Sequence, residues 1–154
     1  YPPHPLTIAH AVRELDASRR LGAQTTFFRL GDDPGLARFV QSMAARVDGR
    51  VVAPELLKIG PYQGGHGCLV IPFSRGVCGA AARTRQTQLA PDVEAFAGHI
   101  ACSSSTRSEI VVPVIGRAGR LIGVLDIDSD RPDAFTPADQ AALEGMMQDV
   151  FGTL

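Results

Sequence analysis

The chain has 154 residues, a length typical of one domain with a single core. Hydrophobic residues make up 45% and charged residues 20%, and the net charge is −1, so the composition does not favour binding to nucleic acid or to an anionic membrane. No apolar run approaches the roughly 18 residues needed to span a bilayer. The first residues lack the pattern of a secretory signal, and three cysteines, an odd number, fit the reducing cytosol better than a secreted disulfide framework.

The N-terminal part of the chain alternates between helical and extended patterns. Apolar residues at helical spacing predict helices over Leu6–Leu21 and Leu36–Val47. Runs of β-formers predict strands over Gln24–Leu30 and Leu56–Ile59. The glycine-rich run Tyr62–Gly67 predicts a loop.

The C-terminal part predicts short strands joined by hairpins and a final helix. Thr136, Pro137 and Asp139 form a helix-start signature, and the helix is expected to end at about Phe151. With helices at both ends and strands between them, the chain is expected to form an α+β domain, a central antiparallel sheet flanked by helices. The other predicted elements are a strand over Leu69–Phe73, a helix over Val77–Arg85, an extended piece over Thr87–Pro91, a turn or helical fragment over Asp92–Gly98, and a hairpin of Ile110–Ile115 with Leu121–Ile127.

The three cysteines form no CxxC pair. Cys68 follows the glycine-rich loop, Cys78 opens the short helix, and Cys102 heads the hydroxyl-rich loop CSSSTRSE. The usual paired zinc ligands are missing, so we expect no structural metal. Thiol redox chemistry fits better: a sulfenic acid on Cys102 would condense with Cys68 or with Cys78, and both remain candidates. The alternative is that the thiols are small hydrophobes in the core.

Carboxylates cluster at the end of the C-terminal hairpin. Asp126 and Asp128 share one face of a strand, because side chains alternate with period two. Glu109 opens the neighbouring strand, so the hairpin can place it beside them. Such a pocket would suit an ammonium group, with one carboxyl able to donate a proton. The alternative is a strand end with solvated, capping aspartates.

Six motifs occur in an order that resembles the GAF-domain free methionine-(R)-sulfoxide reductases. The resemblance covers residues 56–139 and includes all three cysteine positions. It implies one GAF domain over residues 1–154, with a diverged N-terminal third and an inserted segment at about 31–55. The motifs are GPYQG (60–64), IPFSRGVCG (71–79), QTQLAPDV (86–93), FAGHIAC (96–102), SEIVVP (108–113) and IGVLDIDS (122–129).

The resemblance also implies an activity and its residues. It implies a cytoplasmic homodimer that reduces free methionine-(R)-sulfoxide, draws its electrons from thioredoxin and needs no cofactor. A GAF-type sensor of a small ligand or oxidant, without turnover, is the alternative. Carried over by motif, the residues are Cys102 as nucleophile, Cys68 as the main resolving thiol, Cys78 as a further redox cysteine, and Glu109, Asp126 and Asp128 as the groups that bind substrate and protonate the departing oxygen.

One wall of the expected substrate pocket departs from the family pattern. Members of the family commonly carry an Asn-Trp-x-Gly-Phe-Tyr motif whose tryptophan lines the site, whereas this chain has no tryptophan. Its nearest counterpart is the run Thr25–Leu30. Either this region has diverged or the pocket wall is rebuilt with Phe27, Phe28 or Tyr62, and Phe28 and Tyr62 are the aromatic residues expected to contact the substrate. Ser103 also stands where an aspartate is common in the family.

Overall fold

A computed structural model describes residues 24–30, 45–47, 50–52, 55–63 and 67–153. Its elements alternate short strands with two α-helices and two single turns of 3₁₀ helix, at Val93–Ala95 and Arg117–Gly119. In chain order they are β1 (Gln24–Leu30), β2 (Ala45–Val47), β3 (Arg50–Val52), β4 (Leu56–Gln63), β5 (Val70–Pro72), α1 (Gly76–Thr84), β6 (Gln88–Ala90), β7 (Ser108–Ile115), β8 (Leu121–Ser129) and α2 (Pro137–Phe151).

Six of the strands form one sheet in the order β5-β4-β1-β8-β7-β6. Each neighbouring pair in it is antiparallel, as the α+β prediction requires. Strands β2 and β3 form a separate antiparallel hairpin. The first and last long strands of the described chain, β1 and β8, pair in the middle of the large sheet, so its centre depends on contacts distant in sequence.

The two faces of the sheet are covered by different helices. Along β7 and β8 the side chains alternate, so one face packs on α1 and the other on α2. The face toward α1 carries Val111 and Val124, and the face toward α2 carries Ile110 and Leu125. Residues Glu109, Asp126 and Asp128 have the same parity as Val111 and Val124 and therefore lie on the α1 face.

Helix α1 lies close against the end of β5. The backbone turns into the helix at Gly76, whose φ of 72° favours glycine, and the helix ends at Arg85 in a left-handed conformation. Within the helix, Gly79 faces the Pro72–Phe73 backbone so closely that no side chain fits between them. The small residues Ala81 and Ala82 continue the buried stripe. This close approach holds Cys78, one residue earlier, against the sheet.

Helix α2 begins at the predicted signature. The Thr136 hydroxyl accepts a hydrogen bond from the Asp139 backbone N–H, and the Asp139 carboxylate accepts one from the Thr136 N–H, which completes a capping box. Leu143 and Met147 are buried against the second face of the sheet, together with Phe151. No helix within the described residues is long and apolar enough to cross a membrane.

Three expectations need correction or lie outside the described residues. The helix predicted over Leu36–Val47 is wrong at its end, because Ala45–Val47 is strand β2 and pairs antiparallel with β3. The loop predicted from Tyr62 is also wrong at its start, because pairing with β1 extends β4 through Gln63. The helix predicted over Leu6–Leu21 lies outside the described residues.

Replacing Gly79 with alanine is expected to destabilise the protein. A Cβ there would lie 2.6 Å from the carbonyl oxygen of Pro72 and 2.9 Å from that of Phe73, and backbone atoms cannot give way cheaply. We expect Gly79→Ala to lower the free energy of unfolding by about 1–3 kcal/mol, as overpacking does elsewhere. Urea unfolding of the variant and the wild type measures the difference.

Gly145 supplies the matched control, because it lies inside α2, is exposed, and has no atom within 4 Å of an added Cβ. Gly145→Ala should therefore raise the free energy of unfolding by about 0.5–1 kcal/mol through helix propensity alone. Equal effects of the two substitutions would contradict the close packing described for α1.

Candidate active site

A small cavity lies between α1, the adjoining face of the sheet and the loop that precedes β7. Its volume is about 30 Å³, close to the share of one water molecule in the liquid. It is lined by both apolar and ionisable groups, which sets it apart from the surrounding core. The lining residues are Ile71, Gly76, Val77, Cys78, His99, Ile100, Cys102, Ser103, Thr106, Glu109, Asp126 and Asp128.

A disulfide joins Cys68 to Cys102 at this cavity. Their Cα atoms are 5.0 Å apart, within the range that a disulfide spans, although 34 positions separate them in sequence. Both residues are half-buried and pack against the edge of the core. Cys68 precedes β5, whereas Cys102 lies in the cavity-lining loop. The structure therefore pairs Cys102 with Cys68, the first of the two partners that the sequence left open.

Cys78 is the free cysteine and lies deeper. It is the third residue of α1, is buried, and its Sγ donates to Glu109 Oε1 at 3.7 Å. Burial raises the pKa of the Cys78 thiol well above its usual range, and the nearby charges of Asp126 and Glu109 raise it further. This thiol is accordingly held protonated, as a hydrogen-bond donor to the carboxyl groups.

The pairing of β7 with β8 brings the three carboxyl groups together. Glu109 lies opposite Asp128, and Val111 lies opposite Asp126, one step along the same face. Glu109 and Asp126 are each only 6% exposed. The hairpin therefore produces the three-carboxyl pocket that the sequence predicts, with Glu109 and Asp126 buried and Asp128 half-buried. The reading of Asp126 as a solvated strand-end cap does not fit this burial.

Burial changes the protonation of these groups. It raises the pKa of Glu109 from 4.5 to about 8, and the charge of Asp128 adds to the effect. The pKa of Asp126 is raised well above its usual range by burial and by both neighbouring carboxylates. Burial also raises the pKa of Asp128 to about 6, opposed by a hydrogen bond from Thr106. Near neutral pH the cluster therefore holds protons that it can donate to a ligand oxygen.

Two buried polar atoms at the cavity have no hydrogen-bond partner in the described part of the chain: Asp126 Oδ1 and His99 Nδ1. Unpaired buried polar atoms are costly, so they mark a place where a ligand is expected to bind. His99 and Thr106 were not predicted as site residues from the sequence. For His99, the sequence signal that could have indicated a site residue was its position three residues before Cys102 in FAGHIAC.

The two aromatic residues expected at the substrate are not placed equally well. Thr26 of β1 pairs with Asp126 on one side and with Tyr62 on the other, so Tyr62 lies in the same row, two strands from Asp126. Tyr62 is 46% exposed and is not among the described cavity-lining residues. Phe28 lies two residues after Thr26 on β1 and pairs with Val124. Its side chain lies outside the described part of the structure.

The loop that carries Cys102 is fixed at both ends. The Gly76 N–H donates to the Gly98 carbonyl at 2.9 Å, and the Arg107 N–H donates to the Ser129 carbonyl at 2.7 Å. Between these anchors, the hydroxyls of Ser103 and Ser105 are 3.0 Å apart. The exposed Arg107 guanidinium pairs with Glu94 at 3.3 Å and so lies away from the cavity. The loop can thus present Cys102 to the cavity from a fixed frame.

The N-terminal part of the chain matches one family model. Residues 1–63 match a family described as "Rv0959-like protein, vWA domain". In agreement with this match, the uncharacterised protein Rv0959 of Mycobacterium tuberculosis is 65% identical over 60 residues, which are 39% of this chain and 9% of that protein. The matched segment contains strands β1 to β4, so it contributes to the large sheet.

A second set of relatives consists of free methionine-R-sulfoxide reductases. Free methionine-R-sulfoxide reductase of Saccharomyces cerevisiae is 49% identical over 88 residues, 57% of this chain and 49% of the yeast protein, so the chain spans about half of that relative's length. The X-ray structure of free methionine-R-sulfoxide reductase from Neisseria meningitidis in complex with its substrate superimposes with a TM-score of 0.71 at 34% identity, covering 92% of this chain and 72% of that one. The chain has the GAF fold and belongs to the free methionine-R-sulfoxide reductase family.

Proposed function

We propose that this protein reduces free methionine-(R)-sulfoxide to methionine, using Cys102 as the nucleophile and Cys68 as the resolving thiol. The observation that carries the proposal is the Cys68–Cys102 disulfide beside a cavity lined by three carboxyl groups. The disulfide is the product that a thiol-dependent reduction leaves behind, and the carboxyl groups suit an amino-acid substrate. The names of the relatives supply the substrate.

In the first step the Cys102 thiolate attacks the sulfur of the sulfoxide, and a protonated carboxyl gives its proton to the oxygen. The oxygen then transfers from the methionine sulfur to the Cys102 sulfur: the sulfur–oxygen bond of the substrate and the transient bond between the two sulfurs break, and a bond from the Cys102 sulfur to the hydroxyl oxygen forms. Methionine leaves, and Cys102 is a sulfenic acid. Glu109 suits the role of proton donor, because its pKa of about 8 keeps it protonated at neutral pH. Asp126, buried beside it, can share that proton.

In the second step the Cys68 thiol attacks the sulfenic sulfur of Cys102. The two sulfurs join and water leaves, which gives the disulfide seen in the structure. A dithiol then reduces the disulfide by exchange, and we propose thioredoxin as that donor. The complete cycle consumes two electrons and two protons for each sulfoxide and releases methionine and one water.

The carboxyl groups also account for substrate binding. The ammonium group of free methionine sulfoxide needs a negative partner, and the half-buried Asp128, with a pKa of about 6, supplies one at neutral pH. The cavity of about 30 Å³ is too small for an amino acid while the disulfide is closed. We therefore infer that reduction of the disulfide opens the site before substrate enters.

The proposal also includes the oligomeric state and the location of the protein, a homodimer in the cytoplasm.

The rival function is a redox sensor that forms the same disulfide without turnover. It is favoured by the absence of tryptophan and by the match of residues 1–63 to a different family, since both alter the expected wall of the substrate pocket. A sensor would need the two disulfide cysteines. It would have no use for three carboxyl groups at the same cavity, two of them buried, and we therefore place the reductase first.

An assay that couples thioredoxin and thioredoxin reductase to NADPH separates the two functions. We expect the wild type to consume NADPH with free methionine-(R)-sulfoxide and not with the (S) epimer. Cys102→Ser should lose turnover entirely. Cys78, the other cysteine that lines the cavity, is buried and cannot replace Cys102 as the nucleophile. Cys68→Ser should release at most one methionine per chain, because its sulfenic acid is not resolved to the disulfide.

Cys78 offers the matched control for these cysteine variants, because it lines the same cavity without joining the disulfide. Cys78→Ala is expected to keep multiple turnover. If folded, reduced wild-type protein turns over neither epimer, the reductase proposal is wrong and the sensor replaces it. If Cys78→Ala, instead of Cys68→Ser, stops after one methionine, Cys78 is the resolving thiol.

Stability should depend on pH through Glu109. Its pKa is 4.5 when unfolded and about 8 when folded, so the folded state holds this proton more tightly. The stabilisation is fully present below about pH 4.5 and is lost as the pH rises through about 8. We expect Glu109→Gln, which cannot ionise, to show a smaller fall in the free energy of unfolding than wild type between about pH 5 and about pH 8.

Urea unfolding at both pH values measures this difference. Glu55→Gln is the control, since Glu55 is an exposed glutamate that does not line the cavity, and it should retain the wild-type pH dependence. An unchanged slope in Glu109→Gln would show that Glu109 is not the buried acid described for this site.

A further inference from the structure

Three side chains at the inner end of the cavity form an arrangement that fits a metal ion. Cys78, Glu109 and Asp126 are all buried, and each offers one ligand atom, with all three atoms within 4.8 Å of one another. Their residues come from three elements, α1, β7 and β8, so the fold and not a local turn brings them together. We propose that this cluster binds a zinc-type divalent cation.

The spacing of one donor pair matches the coordination geometry of such an ion. With a metal–sulfur distance of about 2.3 Å and a metal–oxygen distance of about 2.1 Å, a tetrahedral site places sulfur and oxygen ligands about 3.6 Å apart. The observed distance from Cys78 Sγ to Glu109 Oε1 is 3.7 Å. A cation can therefore replace the proton between these two atoms with little movement of either element.

An unused oxygen points to the same place. Asp126 is only 6% exposed, and its Oδ1 has no hydrogen-bond partner among the described residues. The described residues that line the cavity include no lysine or arginine to neutralise the carboxylates. Positive charge must therefore come from protons or from a ligand. The cavity of about 30 Å³ admits a single ion.

The chemistry of the donors selects the kind of ion. A thiolate combined with two carboxylates suits a borderline-soft cation such as Zn²⁺ or Cd²⁺, whereas Mg²⁺ and Ca²⁺ prefer oxygen ligands alone. A bound ion would also occupy the carboxyl groups and the thiol that face the cavity. The ion would therefore compete with the protons that Glu109 and Asp126 hold in the proposed reductase step, and its binding is measured without turnover.

The test uses the full chain with the Cys68–Cys102 disulfide formed, because Cys78 is then the remaining thiol. Titration with Cd²⁺ should produce a thiolate-to-metal absorption band in the ultraviolet that saturates at one ion per chain. Zn²⁺ should displace the Cd²⁺ and remove the band, and excess Mg²⁺ should leave it unchanged. Absence of the band in the wild type would overturn the proposal.

Variants identify the ligands. Cys78→Ala should abolish the band, and Asp126→Asn, nearly identical in shape, should weaken binding at least about tenfold, the smallest loss usual even for outer-shell partners. Asp130→Asn is the control, because Asp130 is an exposed acid just beyond β8, and it should bind like wild type. Thermal unfolding establishes that each variant is folded. Cadmium binding that is equally tight in Asp126→Asn and in the control would overturn the site.

Discussion

The register between β7 and β8 is the constraint on which the site depends. Because side chains alternate along both strands, this register places Glu109, Asp126 and Asp128 on one face, under α1. Buried carboxylates at such short range cannot all remain charged without a cation. The fold therefore creates a place that must hold protons or a positive ligand. The proposed acid chemistry, the ammonium site and the cation site are three consequences of that one pairing.

The environment also separates the three thiols. Cys102 and Cys68 are half-buried at the edge of the core, where a sulfur can meet a substrate or a second protein. Cys78 lies among the carboxyl groups, and burial raises its pKa, so it is a poor nucleophile at neutral pH. The cysteines therefore differ in chemistry: Cys68 and Cys102 form a disulfide, whereas Cys78 stays a protonated thiol. Its hydrogen bond to Glu109 links it to proton and cation chemistry instead of the disulfide.

The sequence predicts much of this site because its signals are local. Period-two alternation places Asp126 and Asp128 on one face, and the hairpin brings Glu109 beside them. The residues alone left open whether Cys68 or Cys78 pairs with Cys102, because that depends on a Cα distance across 34 positions, and only the family resemblance indicated Cys68. The extension of β4 through Gln63 was missed for a similar reason: pairing with β1 outweighs the local glycine signal.

The central strand β1 shows how a site can depend on residues whose sequence resembles another family. Residues 1–63 match the vWA-type model, yet β1 lies between β4 and β8 and pairs Thr26 with Asp126. Strand pairing uses backbone hydrogen bonds, so any sequence with β-forming residues in the right register can complete the sheet. The run QTTFFRL meets that requirement. The carboxyl cluster depends on β1 only through backbone pairing with β8. Recognition of a substrate, by contrast, depends on particular side chains. A change of sequence in β1 therefore affects substrate specificity before it affects the fold.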